Sequence, residues 1–233
     1  DPGAFLVALA QRANALPDVS AWIQTLRARD AEREKEIAQI AAEKVEGINP
    51  VALCRSLERL LPERSVLVAD GGDFAATAAY TLHPRKPLGW LDPGVFGTLG
   101  VGGGFALGAA ACYPDDYIWI IYGDGSVAYS LAEFETFAKN GLKVCGIVGN
   151  NGAWEQIARD QIQLLGSDTA VKLPQSDYQM VAQGYGAAGE RVHTLEDFEK
   201  AVQRAILHMD RGMPYLINAV IGSTAFRKDS ISI

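Results

Sequence analysis

The sequence predicts an α/β fold in which helices cover both faces of a mostly parallel sheet, preceded by a linker helix. Two apolar runs, 117–122 and 144–149, each lead directly into a polar tip. Between them, 130–140 has the apolar spacing of a helix, and Gly141 is its predicted end. Strand, helix and strand in this order form a right-handed parallel crossover, so both tips are expected at the same edge of the sheet.

The rest of the chain continues this alternation. Asn49 before Pro50 predicts a helix start, and Thr194 with Asp197 predicts a capping box. The glycines at 102–104 and Gly108 are predicted to let a helix pack closely on the sheet. The predicted helices are 50–61, a short alanine-rich segment after Asp73, 177–185 and 194 to about 212, and the predicted strands are 65–69, 189–192 and 215–221.

Two segments are expected, 1–47 and a compact domain at 48–233. The first opens with a helix after Asp1-Pro2, within 1–22. The stretch 26–46 alternates charge sign and carries Asp30 with Arg33 and Glu32 with Lys35 at helical spacing, which predicts an exposed linker helix. An interaction arm is the alternative for this helix.

Composition limits the class of protein. The 233 residues are 48% hydrophobic and 21% charged, enough for one substantial core. A net charge of −7 without a basic stripe argues against nucleic acid as the main partner. Cys54, Cys112 and Cys145 stand apart in apolar surroundings and are predicted to be reduced core residues. Neither a signal peptide nor a membrane-spanning apolar run is evident, and a cytoplasmic location is favoured.

Chemistry is expected at the strand tips, because ligands of such sheets collect at the carboxyl ends of the strands. The three tips are 70–73, 123–126 and 150–153. At the second tip, the amides of Gly125 and Ser126 begin a helix whose N-terminus favours anions. The Asp124 carboxylate, the Asn151 side chain and a backbone carbonyl after it are oxygen donors of the kind that Mg²⁺ prefers while it keeps phosphate oxygens as further ligands. We therefore predict a metal–diphosphate site.

Two stretches of sequence resemble known enzymes. Gly123-Asp124-Gly125, followed after 24 residues by Asn150-Asn151, resembles the thiamin diphosphate-binding motif. The tract 90–102, WLDPGVFGTLGVG, is similar to acetolactate synthases and 2-hydroxyacyl-CoA lyases, with Leu99 where methionine is usual. The tract after Gly123 and the C-terminal Ser232-Ile233 extend this resemblance over nearly the whole chain.

This resemblance implies a thiamin diphosphate-binding fold and roles for particular residues. Asp124 and Asn151 would ligate Mg²⁺ through their side chains, and Ala153 through its carbonyl. Leu99 would lie under the cofactor as a wedge that holds it bent. Trp154, Glu155, Gln156 and Arg159 would begin a helix at the mouth of the site, where they could contact the substrate. A tryptophan there could also simply pack. The residues implied to bind the cofactor are Gly72, Asp73, Gly97, Thr98, Leu99, Gly123, Gly125, Ser126 and Trp154.

The resemblance also implies an activity. The chain would be the C-terminal, cofactor-anchoring part of a Mg²⁺-dependent lyase that cleaves 2-hydroxyacyl-CoA to an aldehyde and formyl-CoA. Alternatives are an acetolactate synthase-type transferase, a 2-oxoacid decarboxylase and a non-catalytic subunit that holds the cofactor. A nucleotide-binding doubly wound domain fits less well, because the glycines at 100–104 do not follow a strand.

Other parts of such enzymes are expected outside this sequence. The family's activating glutamate comes from a pyrimidine-binding domain of the same or a neighbouring subunit, and Glu133 and Glu135 are not expected to replace it. Residues 1–47 would then be the end of a middle domain and its linker helix. A small-molecule substrate, either an acyl-CoA or a 2-oxoacid, and a homodimer or homotetramer are also implied.

Overall fold

The computed structural model describes residues 1–13 and 17–228, so the C-terminal Ser232-Ile233 lies outside the described residues. It divides into two compact units, Asp1–Gln39 and Ile40–Ile233. The assignment of 1–47 to the end of a middle domain and of 48–233 to a cofactor-binding domain stays a prediction.

The first unit is helical. Helix α1 (Pro2–Ala10) begins after Asp1, whose carboxylate accepts the amide of Ala4 at 3.0 Å. Helix α2 (Ser20–Ala41) is the predicted charged helix, but it starts earlier than expected and includes Trp22. Arg33 of α2 pairs with Glu36 at 3.0 Å, an exposed contact that contributes little stability.

The second unit is built on a sheet of six strands in which every pair is parallel. The strands are β1 (Ser65–Ala69), β2 (Trp90–Leu91), β3 (Tyr117–Gly123), β4 (Val144–Asn150), β5 (Ala188–Val192) and β6 (Tyr215–Val220). Their order is β2-β1-β3-β4-β6-β5, with β3 and β4 in the centre. Strand β2 was not predicted, because two residues are too few to show a pattern.

Helices cover both faces of this sheet, as predicted. One face packs against α3 (Pro50–Leu60), α4 (Asp73–Ala79) and α10 (Leu195–Met209). The other packs against α5 (Gly102–Cys112), α6 (Asp124–Ser130), α7 (Glu133–Lys139) and α9 (Tyr178–Gly184). Helix α8 (Glu155–Leu165) follows β4. The continuous apolar sequences of β3 and β4 reflect burial on both sides.

The predicted helix caps are confirmed. The Asn49 side chain accepts the amides of Val51 and Ala52 at 2.9 and 3.1 Å. Thr194 accepts the amide of Asp197 at 3.1 Å. Each cap satisfies amides that have no partner within their own helix.

The predicted helix at 130–140 is wrong in its start. The structure has α6 and α7 there, joined where the amides of Phe134 and Glu135 donate to carbonyls three residues back instead of four. This tighter 3₁₀ turn interrupts the α-helix without reversing the chain. Leu131, Phe134 and Phe137 of the predicted apolar face are nevertheless buried, whereas Ala138 is partly exposed. Gly141 ends α7 with a φ of 63°.

Two further predictions are confirmed only in part. A Cβ added to Gly102 would lie 2.9 Å from Ile120 Cγ2, which confirms that α5 packs closely on the sheet at this residue. A Cβ added to Gly104 or Gly108 would have no atom of the described residues within 4 Å. Cys54 and Cys145 are buried, and burial raises the pKa of the Cys54 thiol to about 12. Cys112 is exposed, because it ends α5.

Within residues 1–13 and 17–228, no helix is both long enough and apolar enough to cross a membrane.

Candidate functional site

A cavity of about 340 Å³ lies at the carboxyl ends of the central strands. The residues predicted to bind the cofactor or the metal all line it, with the exception of Thr98, which is exposed. Arg159, predicted at the mouth, does not line it either. The structure thus brings together residues from all three predicted tips, namely Gly72, Asp73, Gly123, Asp124, Gly125, Ser126, Asn151 and Ala153, with Gly97, Leu99 and Trp154 from outside the tips.

Asp124 is held in place by backbone amides. Its Oδ2 accepts the amides of Gly152 at 2.7 Å and Ala153 at 3.2 Å, and its Oδ1 accepts the amide of Gly125 at 2.8 Å. Burial raises the pKa of this carboxyl, while the same amides oppose the rise. The Asp124 side chain, at the second tip, therefore holds the loop at 150–153, which is the third tip.

The two asparagines of the third tip face different surroundings. Asn150 is fully buried, and its amide donates to Asn218 Oδ1 at 3.0 Å and to the Ser176 carbonyl at 3.2 Å. Asn151 lines the cavity, and its amide donates to Glu155 Oε2 at 3.0 Å. That bond uses the side-chain NH₂ of Asn151 and leaves its Oδ1 available. Asn150 Oδ1 also has no hydrogen-bond partner among the described residues, but Asn150 does not line the cavity, so Asn151 is the asparagine that can offer an oxygen there.

These groups fit a hard divalent cation. Asp124 keeps a remaining carboxylate lone pair, Asn151 has its amide oxygen, and among the described residues no hydrogen bond ends on the Ala153 carbonyl. Such a cation takes carboxylate, amide and carbonyl oxygens together with phosphate oxygens. The donor set is therefore chemically suited to Mg²⁺, and its assignment as the metal site stays a prediction.

The cradle predicted for a diphosphate lies between the first and second tips. The Gly123 amide donates to the Gly71 carbonyl at 3.0 Å, and a Cβ on Gly123 would come 2.9 Å from that oxygen. Gly72 has a φ of 95°, a conformation that glycine adopts without strain. The starts of α4 and α6 therefore lie side by side, where their first amides can bind an anion. The Gly125 amide, one of those predicted to hold the diphosphate, donates to Asp124 Oδ1 at 2.8 Å.

Trp154 packs directly on Gly125. A Cβ added to Gly125 would lie 2.4 Å from two carbons of the indole ring. Trp154 also lines the cavity. The predicted packing is therefore confirmed, and a role of Trp154 in binding stays a prediction. The last glycine of the Gly-Asp-Gly motif is therefore required by contact with this ring.

Leu99 reaches the site over the first tip. A Cβ added to Gly71 would lie 2.1 Å from Leu99 Cδ2, so the side chain occupies the space that this glycine leaves open. Leu99 and Gly97 both line the cavity. Gly97, with a φ of 56°, ends a short 3₁₀ helix (Gly94–Phe96) and turns the chain toward Leu99.

Arg159 has a different contact from the one predicted. We expected it to meet a substrate at the mouth, but its Nη2 donates to Asp73 Oδ1 at 2.6 Å and its Nη1 donates to the Arg227 carbonyl at 3.0 Å. The Asp73 carboxylate is thus paired with a cation, and the group that Asp73 can offer to an anion is its backbone amide at the start of α4. Glu155 and Gln156 line the cavity as expected.

Replacing Arg159 is expected to weaken both the fold and cofactor binding. Arg159→Ala leaves the half-buried Asp73 carboxylate without its cation, which should cost about 1–2 kcal/mol of unfolding free energy. The uncompensated charge should also lower thiamin diphosphate affinity severalfold. Thermal denaturation and isothermal titration measure the two effects, with the exposed Arg211→Ala as control. An Arg159→Ala variant that matches this control would contradict the expectation.

Several cavity residues were not predicted. Phe74 and Thr77 come from α4, and Ile221 with residues 222–224 follow β6. A Cβ on Gly149 would lie 2.3 Å from the Phe74 ring, so this ring fills the place of a side chain in β4. The end of β6 is a fourth strand tip, and the same rule that selected the other three could have identified it.

The family model described as "Thiamine pyrophosphate enzyme, C-terminal TPP binding domain" matches residues 70–219. Thiamine pyrophosphate is another name for thiamin diphosphate. The match extends from the end of β1 almost to the end of β6 and therefore contains all three predicted tips. The chain belongs to this family of thiamin diphosphate-dependent enzymes and carries its C-terminal cofactor-binding domain.

Individual relatives agree with this assignment. The chain is 45% identical over 239 residues to 2-hydroxyacyl-CoA lyase 2 of Danio rerio, an alignment that covers 100% of this chain and 38% of the relative. It is 30% identical over 205 residues to acetolactate synthase large subunit IlvG of Mycobacterium tuberculosis, covering 87% and 37%. A solved structure, the thiamine diphosphate-dependent 4-hydroxybenzoylformate decarboxylase of Rhodococcus jostii RHA1, matches with a TM-score of 0.70 and 25% identity, covering 78% of this chain and 34% of that one. The chain thus spans little more than a third of each relative.

Proposed function

We propose that this chain is the cofactor-anchoring part of a thiamin diphosphate- and Mg²⁺-dependent lyase that cleaves 2-hydroxyacyl-CoA to an aldehyde and formyl-CoA. The observation that carries the proposal is that Asp124, Asn151 and Ala153 line one cavity in a domain of this family. The substrate class is supported by the 45% identity to a 2-hydroxyacyl-CoA lyase.

Each part of the cavity would have its own task. Asp124 and Asn151, with the Ala153 carbonyl, would hold Mg²⁺, and the amides at the starts of α4 and α6 would hold the diphosphate. When bound, thiamin diphosphate supplies a nucleophilic carbon and an electron sink for carbon–carbon cleavage. Leu99 would keep the bound cofactor bent, and Trp154 would exclude water on the other side.

We further propose that another domain covers the mouth of this cavity. Phe96 and Ile157 line the cavity, yet they are 89% and 55% exposed. Exposed apolar groups beside a site are typical of a surface that another domain covers. A pyrimidine-binding domain of the same or a neighbouring subunit, which would carry the activating glutamate, fits this place. If a neighbouring subunit supplies it, the enzyme is a homodimer or homotetramer.

A second activity has its own support. The identity to an acetolactate synthase and the structural match to a decarboxylase favour a 2-oxoacid as the alternative substrate. A subunit that binds the cofactor without catalysis is the remaining alternative. All three share the same anchoring residues, so only the reaction distinguishes them.

Turnover by the full-length enzyme tests the proposal. With Mg²⁺ and thiamin diphosphate present, a 2-hydroxyacyl-CoA should yield an aldehyde and formyl-CoA, which mass spectrometry detects. Pyruvate is the competing substrate, and reactions without added cofactor are the control. Turnover of pyruvate alone would overturn the lyase in favour of the second activity, and cofactor binding without any turnover would favour the non-catalytic subunit.

A further inference from the structure

Asp70 is a buried carboxylate that the roles described so far do not use. It follows β1 directly, and only 1% of its surface is exposed. Among the described residues, none of the ion pairs includes it. A buried charge without a cation needs strong hydrogen bonds, so the partners of Asp70 indicate its task.

Both carboxylate oxygens of Asp70 accept backbone amides from the glycine-rich loop. Oδ1 accepts the Gly100 amide at 2.9 Å, and Oδ2 accepts the Gly102 amide at 2.6 Å. Gly102 is the first residue of α5, where Val101 provides no side-chain cap. Asp70 therefore caps α5 from a distant strand, and its negative charge lies where the helix dipole favours it.

These two bonds also determine where Leu99 lies. Leu99 is adjacent to Gly100, and its Cδ2 occupies the space over Gly71, the residue after Asp70. The same carboxylate thus holds the loop at one end while Gly71 leaves room for the side chain. Leu99 lines the cavity, whereas Asp70 does not contribute to its wall.

We propose that Asp70 is a positioning residue that fixes Leu99, and through it the part of the cavity that receives the thiamin moiety of the cofactor. The inference rests on the proposed function, because Leu99 has this task only if thiamin diphosphate binds here. Asp70 also contacts the Ser126 side chain at the start of α6, whose hydroxyl donates to the carbonyls of Gly71 and Gly123. The groups proposed to hold the diphosphate are backbone amides, however, and the two amides that Asp70 itself binds belong to Gly100 and Gly102. We therefore expect Asp70 to act mainly on the organic part of the cofactor.

Two ligands can report separately on the two parts of the cavity. Isothermal titration of the full-length enzyme at saturating Mg²⁺ would compare thiamin diphosphate with inorganic pyrophosphate. In Asp70→Asn, the side-chain NH₂ faces a backbone amide, so one of the two loop bonds is lost. Thiamin diphosphate affinity should fall about tenfold or more, a scale typical of residues that orient a binding group. Pyrophosphate affinity should stay within about twofold, as expected for uncoupled sites.

A second variant keeps the test decisive if Asp70→Asn does not fold. Gly71→Ala retains the carboxylate but places a Cβ 2.1 Å from Leu99 Cδ2, so it should displace the same side chain. It should show the same selective loss of thiamin diphosphate. The exposed Asp115→Asn is the matched control and should bind both ligands as the parent does.

A double-mutant cycle tests whether Asp70 acts through Leu99. In a Leu99→Ala background, Asp70→Asn should change thiamin diphosphate affinity by less than about twofold, since the group it positions is gone. Equal losses for both ligands, no loss for either, or additive losses in the cycle would overturn the proposal. If the parent enzyme bound pyrophosphate but not thiamin diphosphate, the proposed function itself would fail.

Discussion

Asp124→Ala is expected to abolish Mg²⁺-dependent binding of thiamin diphosphate. The carboxylate is the one charged group among the proposed ligands, and it also holds the amides of Gly152 and Ala153 on the opposite tip. Its loss removes a metal bond and lets the loop of the other ligands move. We expect affinity to fall by more than about 100-fold, beyond the loss seen when only a supporting group is removed. Isothermal titration of the full-length enzyme with and without Mg²⁺ measures it.

The acidity of Asp124 adds a second readout. Burial raises the pKa of this carboxyl, and Mg²⁺ binds only its charged form. Affinity for Mg²⁺ with thiamin diphosphate should therefore weaken as the pH falls toward that raised pKa. Asp115→Ala, which alters an exposed carboxylate, is the control for both experiments. If Asp124→Ala keeps the affinity of this control, the metal-site assignment is wrong.

Gly125→Ala is expected to have the second largest effect. The added methyl would lie 2.4 Å from the Trp154 ring, closer than carbon atoms approach without displacement. Either the ring or the start of α6 must move, and both form the cavity. Overpacking of this kind should lower the free energy of unfolding by about 1–3 kcal/mol. A shift at the start of α6 should reduce thiamin diphosphate affinity by about tenfold or more.

A second glycine and a second substitution isolate the cause. Gly104→Ala places its methyl in open space within α5, and it should raise stability by about 0.5–1 kcal/mol because alanine is the better helix former. Removing the ring in Gly125→Ala with Trp154→Ala should recover part of the stability lost by Gly125→Ala alone. Chemical denaturation measures each variant. A single Gly125→Ala variant as stable as the parent would rule out the close contact.

The sequence predicted most of the fold because its elements carry local signals. Asn49 and Thr194 marked helix starts, and the apolar runs of β3 and β4 marked strands buried on both faces. The failures occurred where tertiary packing decides. The 3₁₀ turn between α6 and α7 has no distinguishing residue, and β2 becomes a strand only because β1 lies beside it.

Candidate site residues could be predicted where an oxygen-bearing side chain directly follows a buried strand, as at Asp124 and Asn151. Pairings between distant segments were not. Asp70 looked like part of a turn, because its partners Gly100 and Gly102 donate backbone amides that no sequence pattern reveals. Arg159 looked like a substrate contact, because its partner Asp73 lies 86 positions away. Which residues of this cavity bind the cofactor stays a prediction.

The central position of β3 and β4 has a consequence for the thermodynamics of binding. Gly123 at the end of β3 is paired in register with Gly149 near the end of β4. Each of these strands also pairs with an outer neighbour, β3 with β1 and β4 with β6. The side of the cavity proposed for metal and diphosphate is therefore preorganised, and a ligand loses little entropy in ordering it. The opposite side contains the exposed Phe96 and Ile157. The ordering that accompanies binding, and the heat-capacity change from newly buried apolar surface, should therefore come mainly from that side.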